Sequence, residues 1–160
     1  MKVRVGGILI EDGKILLARH RREARRYWTL PGGGVEEGET IVEALHREWL
    51  EEIGMKLADE VELKFIIDII TPQRAKRCRH LLNLIFEVRQ VPDHPRIDPH
   101  LQPGEHLDAT EWVSLEKLAE LKFVPSIQPE LLAIGQGRGD ECPLYLGNKW
   151  IDIHELTGEL

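Results

Sequence analysis

Only two of the 160 residues are cysteines, Cys78 and Cys142, and no Cys-x-x-Cys pair occurs. A disulfide framework and a Cys/His zinc spacing are thereby excluded as organising devices. Long apolar runs are as scarce. Nothing approaches the roughly 18 consecutive apolar residues of a membrane span, and the run after Arg4 meets Glu11 and Asp12 too soon for a secretory leader. Positive charge is in deficit as well: 21 Lys and Arg stand against 28 Asp and Glu, a net charge of −7. That disfavours nucleic-acid and anionic-membrane partners, which want a positive footprint. The expectation is a reduced, cytoplasmic protein with no membrane and no nucleic-acid partner. The seven histidines are scattered, and His94, His100 and His106 lie in a proline-broken stretch that reads as loop.

The chain has the length of one domain and needs no staples to hold a core. Val3–Ile10 and Lys14–Ala18 are apolar runs around an Asp12-Gly13 step, the pattern of a β-hairpin. Residues 19–26 form a charged stretch with five arginines, read as a loop. Tyr27–Leu30 reads as a short strand stopped by Pro31 and three glycines. Thr40 and Glu43 have capping-box spacing, so a helix should run to about Ile53, with Gly54 at its C′ position. Val61–Ile70, Leu81–Val88 and Thr110–Val113 read as strands, and 91–104 as a long loop. Ser114 is placed to cap a helix to about Leu121, and Pro129 falls in the first turn of a last helix. Residues 136–160 read as a C-terminal tail, with a hairpin around Gly147-Asn148 on which a second copy could dock to give a homodimer.

The helix over 40–53 concentrates acid. At about 100° per residue, Val42, Leu45, Trp49 and Ile53 form the core stripe. Glu48, Glu51 and Glu52 then share an adjacent face at spacings i, i+3 and i+4. Like charges at those spacings repel by a few tenths of a kcal/mol per pair, and Arg47 is the only basic relief nearby. One reading is a solvated acidic face. The other is a site for a hard divalent cation, Mg²⁺ or Mn²⁺, which takes carboxylate oxygens.

Gly33, five residues, Glu39, seven residues, then Arg47-Glu48-Trp49-Leu50-Glu51-Glu52-Ile53-Gly54-Met55 resembles the complete signature of the Nudix hydrolases. That signature is Gly-x5-Glu-x7-Arg-Glu-U-x-Glu-Glu-x-Gly-U, with U bulky and apolar. Average residue frequencies would produce its nine constrained positions in such a chain in fewer than about one in 10⁵ cases. The resemblance covers about residues 1–135 and leaves the tail aside. It implies an α/β fold, a Nudix-type α/β/α sandwich with a mixed β-sheet between helices. It also implies a metal-dependent pyrophosphohydrolase using Mg²⁺ or Mn²⁺ on a small nucleotide. Glu48, Glu51 and Glu52 would carry the metal with the carbonyl of Gly32, Arg47 would orient a carboxylate, and Glu39 would stabilise the loop. A helix glutamate, or Glu105 in a later loop, would be the general base; Glu105 also reads as a solvated loop residue. Water would be the nucleophile.

Nine of the Lys and Arg residues lie in two stretches, Arg19–Arg26 and Arg74–Arg79. They could grip substrate phosphates, with Arg19, Arg25, Arg26, Arg77 and Arg79 as candidates, or serve only solubility. Tyr27 or Trp28 could stack on a nucleobase, or belong to the core. Pro72 lies 17 residues after Met55, close to where ADP-ribose enzymes of the family often have a proline. ADP-ribose, nucleotide sugars and nucleoside triphosphates all stay open. The alternative to an enzyme is a Nudix-like nucleotide sensor, against which the complete set of glutamates argues.

Overall fold

In a computed structural model, residues 1–22, 24–72, 79–93 and 107–152 are described. Two sheets pack around a shared core, and a helix covers the outer face of the larger over a second one. The larger sheet contains β1 (Lys2–Ile8), β5 (Gly32–Gly34), β6 (Glu62–Ile70), β7 (His80–Glu87) and β9 (Tyr145–Asn148), in the order β5-β1-β7-β6-β9. The smaller contains β2 (Ile10–Glu11), β3 (Lys14–Arg22), β4 (Arg25–Thr29) and β8 (Leu107–Ser114), with β4 and β8 each paired to β3. The larger sheet is mixed: β1 runs parallel to β7 and β6 to β9, whereas β5–β1 and β6–β7 are antiparallel. The α/β sandwich implied by the resemblance is the one observed.

Alternation along the strands sorts side chains to two cores. Ile67, Phe65 and Ile85 point toward the smaller sheet and meet Ile15, Leu17, Trp28 and Val113. Val5, Leu84 and Phe86 point the other way and meet helix α1 (Ile41–Ile53) through Ala44, Leu45, Trp49 and Ile53. The helix starts where the capping box requires. Glu43 N–H donates to Thr40 Oγ1 at 3.2 Å, and Thr40 N–H donates to Glu43 Oε2 at 2.7 Å. It ends at Gly54, whose φ of 71° is the left-handed conformation that glycine adopts most readily. The Asp12-Gly13 step turns as expected, with φ of 50° and 73°. Pro129 sits in the first turn of α2 (Gln128–Gly135).

Several expectations change. The arginine stretch is not a loop: β3 continues to Arg22 and β4 begins at Arg25, so the arginines ride on a hairpin. Cross-strand pairing outweighs the weak β-propensity of a charged run. β4 ends at Thr29, before Pro31, as expected, and the three glycines after it form a new strand, β5, beside β1. Ser114 starts a 3₁₀ segment, Leu115–Glu120, rather than an α-helix, and its side chain makes no cap. The strand expected over 110–113 extends back to Leu107 because β3 offers it a partner. Among the described residues the C-terminal hairpin is absent. Tyr145–Asn148 is a single strand laid parallel on β6, with Lys149 N–H donating to Asp68 O at 2.9 Å.

Candidate active site

Glycine chemistry builds the corner where β5 meets α1. Gly33 lies so close to Glu48 that a Cβ there would sit 2.2 Å from the carboxyl carbon. At Gly32, φ is 148°, and a Cβ would lie 2.0 Å from Val5 O. On the same face of the sheet, Gly7 of β1 makes room for the Trp49 ring, which a Cβ would meet at 2.6 Å. These close approaches press α1 against the β1–β5 edge and set its acidic face beside the glycine backbone.

Arg47 organises that face. Its Nε and Nη2 hold Glu39 as a fork, at 3.0 Å to Oε2 and 2.7 Å to Oε1. Its Nη1 bridges Glu48 Oε1 at 2.9 Å and Glu51 Oε2 at 3.2 Å, while Nη2 also donates to Gly34 O at 2.9 Å. Glu36 N–H closes the loop onto Glu39 Oε1 at 2.7 Å. Hydrogen bonds from Arg47 and from that backbone hold the Glu39 carboxyl down at about 2, and Glu39 in turn raises Arg47 well above its ordinary value. Burial pushes the Glu48 carboxyl up, against the opposing pull of Arg47. Glu52 is the buried acid of the group, at 7% exposure, and its Oε2 accepts from Gly32 N–H at 3.2 Å.

Sequence reasoning did not single out Arg4. It is half-buried on β1, and its Nη2 donates to Leu30 O at 3.1 Å and to Gly32 O at 3.0 Å. Burial lowers its pKa, while Glu52 and then Glu48 pull it back up. The available signal was an arginine inside an otherwise apolar strand, a charge that must find partners wherever that strand is covered.

Glu48, Glu51, Glu52, Arg47 and Gly32 therefore come together. The carboxylates and the glycine carbonyl are hard oxygen donors and fit a divalent cation. Among the described residues, no three His, Cys, Asp or Glu side chains are yet close enough to hold one ion; Arg47 lies between Glu48 and Glu51 instead. Arg19 is held by Asp108 Oδ2 at 2.9 Å and Glu111 Oε1 at 2.8 Å, and lies 5.8 Å from the centre of the Trp28 ring. Trp28 is 7% exposed and belongs to the core. Arg26 approaches Asp108 at 4.0 Å. Arg25 is exposed at the start of β4, and Arg79, also exposed, ties its backbone to Thr71. Arg77 and Glu105 lie outside the described residues.

The chain is similar to known proteins in sequence and in fold. A family model described as NUDIX domain matches residues 1–133. The RNA pyrophosphohydrolase of Caulobacter vibrioides is 34% identical over 152 residues, spanning 85% of this chain and 87% of that protein. The ADP-ribose pyrophosphatase of Methanocaldococcus jannaschii is 32% identical over 123 residues, 76% of this chain and 66% of that one. In fold, the NUDIX hydrolase from Nitrosomonas europaea matches with a TM-score of 0.69 at 23% identity, covering 89% of this chain and 93% of the other.

Proposed function

The chain belongs to the Nudix family and is a Nudix hydrolase, and we propose that it cleaves the phosphoanhydride bond of a nucleoside diphosphate linked to a second group, by attack of water. The observation that carries this reading is the Glu48–Glu51–Glu52 face set against Gly32 and Gly33, with Arg47 holding two of its carboxylates. Nudix hydrolases generally use divalent metal ions, and Mg²⁺ or Mn²⁺ suits the oxygen donors here. Bound there with Glu48, Glu51, Glu52 and Gly32 O, the ion would neutralise diphosphate charge and acidify water.

The chain's own groups supply the rest. Arg47 fixes the orientation of Glu48 and Glu51, and its fork to Glu39 ties the loop before α1 to the helix. A carboxylate, Glu105 or one of the helix glutamates, takes the proton of the attacking water. Arg25 and Arg79 are exposed and suited to phosphate oxygens. Products are two phosphate-bearing fragments, with no covalent intermediate. The name of the Caulobacter relative favours a second reading, in which the diphosphate belongs to a triphosphorylated 5′ end.

The test is a product-resolved screen with Mg²⁺ and Mn²⁺ over ADP-ribose, nucleotide sugars, nucleoside triphosphates and a 5′-triphosphorylated oligonucleotide. Turnover of ADP-ribose or a nucleotide sugar supports the first reading. Turnover of the oligonucleotide alone replaces it with the second. Tight binding without turnover of any substrate identifies a sensor instead.

A further inference from the structure

The β3–β4 hairpin carries a ligand feature that the acidic corner does not explain. Its register pairs Arg19 with Trp28, His20 with Tyr27, Arg21 with Arg26 and Arg22 with Arg25. Side chains alternate across a sheet, so the hairpin has two unlike faces. One holds Arg19, Trp28 and Arg26, with Asp108 and Glu111 of β8 gathered by its arginines. The other holds His20, Tyr27, Arg22 and Arg25. There the rings of His20 and Tyr27 are stacked, 5.2 Å between centres and 14° from parallel. His20 Nε2 is 2.9 Å from Thr29 Oγ1, which fixes the imidazole plane. Both residues are only partly buried, so the stack still meets solvent.

The stack also lies beside the reaction corner. Arg4 is anchored to Leu30 O and Gly32 O on the segment that leads on from Tyr27, and Gly32 N–H in turn donates to Glu52 Oε2. Followed through these contacts, the order is ring stack, guanidinium, carboxylate. A nucleoside diphosphate has the matching order of planar base, first phosphate and second phosphate.

We propose that Tyr27, backed by His20, is the base platform of this protein, extending the stack by one nucleobase, and that Arg4 receives the phosphate nearest the nucleoside. The inference rests on the nucleotide reading above but not on hydrolysis. Base–aromatic stacking tolerates any base, so the platform selects for a nucleoside rather than for its identity. Tyr27 is then a binding residue, and His20 a positioning residue that holds its ring.

The experiment is equilibrium binding to the whole chain of adenosine 5′-monophosphate, guanosine 5′-monophosphate and ribose 5-phosphate, with unfolding monitored for every variant. The unsubstituted protein should bind both nucleotides roughly tenfold more tightly than ribose 5-phosphate, the scale of one stacked base. Tyr27→Leu should abolish that difference and leave ribose 5-phosphate binding unchanged. Tyr27→Phe should retain it. His20→Ala should reduce it without affecting the sugar phosphate. Arg4→Gln should weaken all three ligands alike. Equal binding of nucleotide and sugar phosphate by the unsubstituted protein overturns the platform. So does a Tyr27→Leu protein that folds and keeps the difference, or a parallel loss for all ligands that Phe does not rescue. Absence of turnover in the substrate screen, with the base preference intact, would remove the hydrolase reading and leave the platform standing.

Discussion

The acidic corner and the basic hairpin carry the same kind of information, a cluster of like charges, yet sequence exposes them very differently. On α1 the period of 3.6 puts Glu48, Glu51 and Glu52 on one face whatever surrounds them. One arginine then bridges two of them. On the hairpin the period is 2, so five consecutive-looking arginines are split between two faces, and which face meets the substrate depends on what packs behind the strands. Like charges are tolerated in the first case for their chemistry. In the second they are separated, and Arg19 is neutralised by β8.

The largest effect should come from the corner. Glu52→Gln should lower kcat by roughly 10²-fold or more, the scale of losing one charge-stabilising group, with the fold kept because an amide oxygen can still accept from Gly32 N–H. Near-normal turnover would remove Glu52 from the ligand set. Next comes a contrast between adjacent glycines. At Gly33→Ala the methyl would fall 2.2 Å from the Glu48 carboxyl, whereas at Gly34→Ala nothing lies within 4 Å. The first should lose most activity and some thermal stability, and the second should stay close to the parent. Equal behaviour of the two would break the account of why that corner is glycine.

Arg47→Lys keeps the charge and loses the fork to Glu39. It should lower the midpoint of chemical denaturation, because a point charge cannot reproduce two parallel hydrogen bonds. The acid limb of stability sharpens the same point. Glu39 is held at about 2 in the fold against 4.5 for an ordinary glutamate. A carboxyl lowered in the folded state contributes stability above its unfolded value, and that contribution is lost as pH falls through the window toward 2. Melting temperature of the metal-free protein should therefore decline across that window, and Glu39→Gln should flatten the decline. The smallest effect tests the hairpin. Arg25→Ala should raise KM more than Arg19→Ala, because Arg25 lies on the Tyr27 face of the hairpin, whereas Arg19 lies on the Trp28 face and is held by Asp108 and Glu111. The reverse order would mean that the faces have been assigned the wrong way round.

Much of the frame was legible. The capping box at Thr40, the stop at Gly54, the Asp12-Gly13 turn and Pro129 each act through local backbone chemistry, and each lies where that chemistry puts it. Less legible were elements whose state depends on a distant partner. Gly32–Gly34 has little strand propensity and is a strand because β1 pairs with it. Tyr145–Asn148 suits a hairpin by pattern but finds the free edge of β6 first. Ser114 has the identity of a helix cap, yet it leads into a 3₁₀ segment packed through Leu115 and Leu118.

The sequence by itself determined the acidic face, its attendant arginine and the glycines that let them approach, because helix periodicity and backbone freedom are local properties. Only the tertiary structure decided that Arg4 would reach the Gly32 carbonyl from another strand, that Trp28 would be core while Tyr27 stacks on His20, and that Arg19 would be claimed by Asp108 and Glu111. Those are contacts made across strands, and register between strands, which no local pattern encodes, sets them.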